Sequence, residues 1–202
     1  MNGIQSEDVI ATAYNPKKII SSMVAGMDAT RVGNAVHYSR IGYVSFGPTE
    51  GTDLEDLESL CRFFERMQLP YELDEDIRKT MWWKFMLNCG VNQTSALLRA
   101  PYGLFQTCAY AQNLMMMVMR EVFEVSKKLG IGLDEVDIDK AFDILSELSP
   151  EGMTSMCQDV EAGRKTEVDI FAGSIMELGA KFNVDVPVST FLFNALKAME
   201  RS

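Results

Sequence analysis

Apolar residues recur at helical spacing through most of the chain, and one such segment also carries a polar stripe. Segment 76–98 has no proline and enough Trp, Phe, Met, Leu and Val to predict a mostly buried helix. Lys84, Asn88 and Asn92 are spaced four residues apart, so they share one face of a helix that turns about 100° per residue. We expect Ser95 on the same stripe.

Two interpretations of this stripe stay open. Isolated polar groups are costly to bury, so the side chains should face either a neighbouring helix that satisfies them or a solvated cleft. In a cleft, a lysine held against apolar walls loses its proton more easily, which suits a proton donor near neutral pH. Two amides four residues apart could then hold the hydroxyl, carbonyl or carboxylate group of a small ligand.

The first third of the chain mixes helical and strand patterns. Ser6 is a candidate cap for a short helix that ends before Pro16. Three β-rich runs are predicted to be strands separated by turns at Gly33-Asn34 and Gly42. The runs are 19–25, 35–38 and 43–46. Thr52 to Glu55 has the form of a capping box, followed by a helix of about four turns.

From Asp74 onward every segment has helical periodicity, which predicts a domain boundary near residue 75. Helix stop signals then predict six helices with short connections. These cover residues 76–98, 104–129, 134–148, 153–162, 167–182 and 188–201. The predicted fold is therefore mainly α, with a six-helix domain over residues 75–202 that follows an α/β segment over residues 1–74.

Composition excludes several functions. The net charge of −10 argues against nucleic acid or anionic membrane as a partner, because no basic surface is available. The most apolar run, 114–119, is too short to cross a bilayer, so we expect a cytoplasmic protein. The four cysteines are widely spaced without neighbouring histidines, which favours reduced core cysteines and gives no indication of a metal site.

A second polar cluster follows the predicted helix at 153–162. Thr166 is a plausible helix cap with Glu167 and Asp169 in the first turn, and helix capping alone would explain both acids. In the alternative interpretation Glu167 is a functional partner of Lys84, because a proton donor and an anionic hydrogen-bond acceptor together could orient a small substrate.

Four motifs occur in an order that resembles ketopantoate reductase (2-dehydropantoate 2-reductase). They are Asn2-Gly3, the WxKxxxNxxxN pattern of Trp82 to Asn92, Ser155-Met156 with Asp159, and the GRxTExD pattern of 163–169. The resemblance runs over essentially the whole chain. It implies NADPH-dependent reduction of ketopantoate to pantoate and a small-molecule 2-oxo acid substrate. A homodimer is expected separately, because the strands of the first segment would expose an unpaired edge.

The same resemblance implies roles for six residues. Lys84 matches the general acid and Glu167 the carboxylate that engages the substrate hydroxyl. Asn88, Asn92 and Ser155 match substrate-holding positions. Asn2 matches an asparagine near both the nicotinamide and the substrate.

The chain departs from the family pattern at its start. Its only Gly-x-Gly, Gly130-Ile131-Gly132, follows a helical segment rather than a strand, so it is not the phosphate loop of a dinucleotide domain. We therefore expect residues 1–74 to be the last part of a truncated Rossmann-like domain. Reduction of another branched 2-oxo acid, or a non-catalytic helical module for self-association, stays an alternative function.

Overall fold

The computed structural model describes residues 2–200 and divides into two compact units. One unit extends to Met81 and the other begins at Trp82. Helix α3, Ile77–Leu87, therefore contributes residues to both. No helix of the described range is long and apolar enough to cross a membrane.

The first unit combines two helices with a small sheet. The elements are α1 Ser6–Ala11, β1 Ser22–Val32, β2 Ala35–Phe46, α2 Leu54–Met67 and β3 Tyr71–Leu73. The sheet order is β1-β2-β3, with β1 antiparallel and β3 parallel to β2. Phe46 at the end of β2 is fully buried, and its ring stacks 5.3 Å from Phe64 and 5.5 Å from Tyr71 between centroids. These ring contacts pack α2 and β3 against the end of β2.

The prediction of two separate strands at 35–38 and 43–46 is wrong, because they form one strand. Gly42 has a φ of +73° inside β2, where a Cβ atom would come 2.5 Å from the Ala25 carbonyl oxygen. Gly26 in β1 also has a positive φ. Glycine permits this backbone conformation, so Gly42 distorts the paired strands without ending one.

Two predicted caps are also corrected. Gln5, not Ser6, precedes the first turn of α1, and the Ser6 hydroxyl donates instead to the Glu7 carboxylate. At α2 the cap is Asp53, whose carboxylate accepts from the Glu55 amide. Both helices still start within a residue of the predicted positions.

The second unit is helical throughout, as the sequence predicts. Its elements after α3 are a first π turn Asn88–Asn92, α4 Gln93–Leu98, α5 Tyr102–Thr107, α6 Ala109–Lys128, α7 Glu135–Glu147, α8 Ser155–Glu161, a second π turn Asp169–Gly173, α9 Ser174–Phe182 and α10 Pro187–Met199. The single helix predicted over 104–129 is two helices, because Cys108 has an extended backbone. The Gln112 side-chain amide donates to the carbonyls of Phe105 and Gln106 and so satisfies the end of α5.

Helix α6 runs through the core of this unit. Met115, Met119 and Val122 are fully buried along it. Glu121 on the same helix is also buried, and its carboxylate accepts from the Val188 amide and from the Ser189 amide and hydroxyl at 2.6–2.8 Å. Glu121 therefore caps α10 from a neighbouring helix, a favourable position because a helix N-terminus attracts negative charge.

Candidate active site

Five of the six predicted site residues lie in the second unit. Asn2 lies in the first unit, just before α1. Lys84 is on α3, Asn88 and Asn92 begin and end the first π turn, Ser155 begins α8, and Glu167 lies two residues before the second π turn.

Lys84 is half-buried, and the Glu167 carboxylate acts on it. Burial lowers the pKa of the Lys84 ammonium, while the charge of Glu167 opposes part of that change by raising it. An electrostatic interaction of this kind requires the two side chains to be near each other. The structure thus brings together the two groups that were paired on sequence grounds.

The Asn88 and Asn92 side chains make no hydrogen bond to the described part of the chain. Asn92 is only 8% exposed. Among the described side chains, however, no fully buried nitrogen or oxygen lacks a partner, so the Asn92 amide must reach solvent. Their assignment as substrate-holding residues stays a prediction.

The first π turn keeps these amides on the Lys84 face. Hydrogen bonds in a π turn close on the fifth residue instead of the fourth, so each residue advances less around the axis than in an α-helix. Asn92 therefore lies about one turn along the helix axis from Asn88 and on the same side. The residues after Asn92 are rotated about the axis relative to the positions they would have in an uninterrupted α-helix. Ser95 consequently leaves the stripe: it is fully buried, donates to the Ala100 carbonyl at 2.7 Å and accepts from the Thr154 hydroxyl at 3.2 Å.

The segment before Glu167 is held mainly by contacts from the predicted GRxTExD motif to Asp159 and Glu200, which lie outside the motif. Gly163 ends α8 with a φ of +64°. The Arg164 guanidinium donates to Asp159 at 2.7 Å. Thr166 donates through both its amide and its hydroxyl to Glu200 at 2.8 and 2.7 Å. The Thr166 hydroxyl also accepts from the Val168 amide at 3.4 Å, but Val168 and not Thr166 is the N-cap of the following π turn, so the prediction of Thr166 as the helix cap is wrong.

A charge network joins this segment to α10. The Lys197 ammonium lies 3.0 Å from the Asp169 carboxylate and 3.1 Å from that of Glu200. Burial acts to raise the pKa of Glu200, but hydrogen bonds from Thr166 and Lys197 outweigh it and lower that pKa. Asp169 and Thr166 therefore serve the structure of the motif, whereas the charge of Glu167 acts on Lys84.

Ser155 is exposed at the first position of α8. The neighbouring Thr154 caps that helix by accepting from the Cys157 amide at 3.1 Å and is itself buried. Ser155 is thus free of the capping role, and its assignment as a substrate-holding residue stays a prediction.

Two residues of this region were not anticipated from the sequence. Glu200 lies 33 positions after Glu167 in the chain, and no local pattern relates it to the motif. Gln93 follows Asn92 directly, but it is fully buried instead of facing the ligand side. The one signal for Gln93 in the sequence is that its amide side chain directly follows the NxxxN pattern.

Nothing in residues 2–200 matches a pyrophosphate-binding turn. The connection from β2 to α2 carries Gly47 and Gly51, but without the Gly-x-Gly-x-x-Gly spacing, and Gly130 and Gly132 lie in the connection between α6 and α7.

Comparisons with known proteins define the class of this helical unit. Residues 76–200 match the family described as "Ketopantoate reductase PanE/ApbA C terminal". The unit is thus the C-terminal domain of an oxidoreductase family, and the match covers Lys84, Glu167 and the residues around them.

The chain belongs to the ketopantoate reductase family. It is 33% identical over 199 residues to the 2-dehydropantoate 2-reductase of Pyrobaculum aerophilum, covering 98% of this chain and 67% of the relative. The solved PanE/ApbA family ketopantoate reductase from Ralstonia eutropha is 25% identical with a TM-score of 0.84, over 99% of this chain and 65% of that one.

A solved D-mandelate dehydrogenase, crystallised with NADH and anilino(oxo)acetate, shares the fold. It has a TM-score of 0.86 at 22% identity and is covered over 66% of its length by 99% of this chain. The chain thus spans about two thirds of the length of the proteins it resembles.

Proposed function

We propose that this chain supplies the proton donor and the substrate-binding residues of an NADPH-dependent reductase that converts ketopantoate to pantoate. The observation that carries the proposal is the half-buried Lys84 ammonium with the Glu167 carboxylate acting on it. Membership of the ketopantoate reductase family supports the reaction class.

Reduction of a 2-oxo acid adds a hydride to the carbonyl carbon and a proton to its oxygen. The Lys84 ammonium donates that proton, and its lowered pKa makes it a better acid than an exposed lysine. Glu167 accepts a hydrogen bond from the hydroxyl that forms. Asn88, Asn92 and Ser155 hold the carboxylate and the carbonyl oxygen, and Asn2 is a further substrate-binding residue.

The hydride is supplied by NADPH when that cofactor is bound. Since the described residues offer no pyrophosphate turn, the residues of this chain account for proton donation and substrate orientation only. Asn2 is the one residue for which we propose a contact with the nicotinamide side.

The exact substrate is proposed from the family relation. The D-mandelate dehydrogenase that shares the fold was crystallised with an oxo acid, anilino(oxo)acetate, which keeps other 2-oxo acids as the alternative substrate class. Comparing ketopantoate with other branched and aromatic 2-oxo acids at equal concentration will separate these candidates.

The test is NADPH oxidation by a complete protein that carries these 202 residues. Lys84→Met and Glu167→Gln should each lower kcat/KM for ketopantoate by about two to four orders of magnitude, the usual contribution of a positioned acid or base. Lys128→Met is the matched control, because Lys128 is exposed at the end of α6. If Lys84→Met matches the control, the alternative of a non-catalytic helical module is favoured instead.

A further inference from the structure

The two π turns of the second unit leave backbone groups that a regular α-helix would satisfy. In the second π turn, the Gly173 amide donates to the Val168 carbonyl, five residues back, at 3.0 Å. That carbonyl would otherwise accept from the Ala172 amide, so Ala172 needs another acceptor. Because Ala172 is fully buried, solvent cannot provide it.

One side chain serves both turns. The Gln93 Oε1 atom accepts from the Ala172 amide at 3.1 Å, and its Nε2 atom donates to the Cys89 carbonyl in the first π turn at 2.9 Å. Gln93 is itself fully buried, with 0% of its surface exposed to solvent. A side-chain amide suits this position because it offers a donor and an acceptor on separate atoms without carrying a charge.

Each of these turns adjoins part of the candidate site. The first begins and ends with Asn88 and Asn92, and the second starts two residues after Glu167. A π turn amounts to one extra residue in a helix, so a turn that reverted to α geometry would rotate the preceding residues by about 100°. The rotation would carry Glu167 away from Lys84.

We propose that Gln93 is a positioning residue that stabilises both π turns and thereby holds Glu167 opposite the Lys84, Asn88 and Asn92 face. It touches no substrate and acts only through the backbone of Cys89 and Ala172. This inference rests on the proposed function for its catalytic meaning, but the placement of Glu167 can be tested without any turnover.

The direct test is the pKa of the Lys84 ammonium, measured by NMR in the 202-residue chain. Gln93→Met retains the length of the side chain and removes both hydrogen bonds, so Glu167 should move away and the measured pKa should fall, as it should in Glu167→Gln. Adding Gln93→Met to Glu167→Gln should lower it no further. Gln93→Asn, one methylene too short to reach both turns, provides the same comparison if the Met variant does not fold.

Thr94→Val is the matched control. The Thr94 hydroxyl is buried and donates to the Gly90 carbonyl at 2.7 Å, so its loss removes a hydrogen bond from the first π turn without touching the second. The control should leave the Lys84 pKa unchanged. A Gln93 variant with the pKa of the wild-type chain would overturn the inference.

Kinetics of a complete protein separate this inference from the proposed function. Gln93→Met should lower kcat/KM for ketopantoate by about 10–100-fold, as expected when a site residue is misplaced. If Lys84→Met retains activity, the proposed function fails while the NMR comparison still decides the role of Gln93. If Lys84→Met is inactive and Gln93→Met has wild-type kinetics, Gln93 does not position the site.

Discussion

Lys84 combines a charge with a half-buried position, and this combination has a cost for stability. Burial lowers the pKa of its ammonium, which means that the folded state disfavours the charged form relative to the unfolded state. The unfolded chain therefore binds the Lys84 proton more tightly than the folded chain. The contribution of Lys84 to the free energy of unfolding consequently rises with pH between the Lys84 pKa of the folded state and that of the unfolded state.

We accordingly expect Lys84→Met to retain or increase the free energy of unfolding at neutral pH while activity is lost. The gain should shrink as the pH is raised through the Lys84 pKa, because the wild-type chain then no longer carries the unfavourable charge. Urea unfolding at several pH values, with Lys128→Met as control, measures this. A destabilisation larger than that of the control would mean that the ammonium makes net favourable contacts in the folded chain.

Glu200 has the opposite dependence on pH. Burial alone would raise its pKa, but hydrogen bonds from Thr166 and Lys197 lower it below the ordinary value. Its contribution is therefore fully present above the unfolded pKa and is lost as pH falls through the folded pKa. Glu200→Gln should be less stable than wild type at pH 7, and the difference should vanish in acid.

Equilibrium unfolding of Glu200→Gln at pH 7, 5 and 3 provides that check, with the exposed Glu147→Gln as the matched control in the same unit. A difference from wild type that stays constant across this range would show that Glu200 does not act through its charge. A variant as stable as wild type at pH 7 would remove the network from the account of how the Glu167 segment is held.

Glu121 of α6 caps α10 and so connects these two helices. Removing its carboxylate leaves two amides and a hydroxyl without an acceptor. Hydrogen bonds to a charged group contribute about 1.5–3 kcal/mol each, so loss of all three in Glu121→Ala should lower the free energy of unfolding by at least about 3 kcal/mol. Glu124→Ala, whose side chain pairs with Lys127 at the surface, should cost less than about 1 kcal/mol.

Chemical denaturation of the two variants measures the difference directly. Equal destabilisation of Glu121→Ala and Glu124→Ala would contradict the capping role. Loss of the structure of α10 alone, seen as rapid amide exchange over 187–199, would instead confirm that Glu121 stabilises this helix locally.

Helix positions were predictable because apolar periodicity and caps are local signals. The segment 76–98 has the predicted bounds to within a residue or two, and the helices with the wrongly predicted caps Ser6 and Thr52 still begin within a residue of the expected positions. The π turns were not predictable, since no sequence pattern announces the extra residue. Gln93 was consequently assigned no role, and Ser95 was assigned to the wrong face of the helix.

Contacts between distant segments were the other limit of the sequence. Lys84 and Glu167 could be paired only through a family resemblance, because their separation in the chain carries no geometric information. The network of Thr166, Lys197 and Glu200 depends on how α10 packs, which no local motif indicates. Sequence patterns therefore located the candidate residues, while the structure distinguished those that face one another from those that support the fold.

For the molecule as a whole, cofactor binding is expected to be weak. Backbone amides of a glycine-rich turn and a helix N-terminus supply much of the affinity for a dinucleotide, and the described residues contain no such turn. The 202-residue chain should therefore bind NADPH weakly or not at all in calorimetry. Micromolar binding would contradict this and would require a different route of cofactor recognition.

Self-association is the second expectation at this level. The sheet order places β1 and β3 at the edges of the described sheet, and an unpaired edge is prone to pair with another chain. Light scattering should show dimers or larger species of the 202-residue chain, whereas a monomer at all concentrations would contradict the expectation.

The central claim is that Lys84 donates the proton during 2-oxo acid reduction. It is tested most directly by comparing the Lys84 pKa, measured by NMR in the substrate-free protein, with the alkaline limb of kcat/KM for ketopantoate, since that limb reports the essential acid of the free protein. The account predicts that the two coincide, below the ordinary lysine pKa, and that Glu167→Gln lowers both together. A limb that does not follow the Lys84 pKa would contradict the assignment.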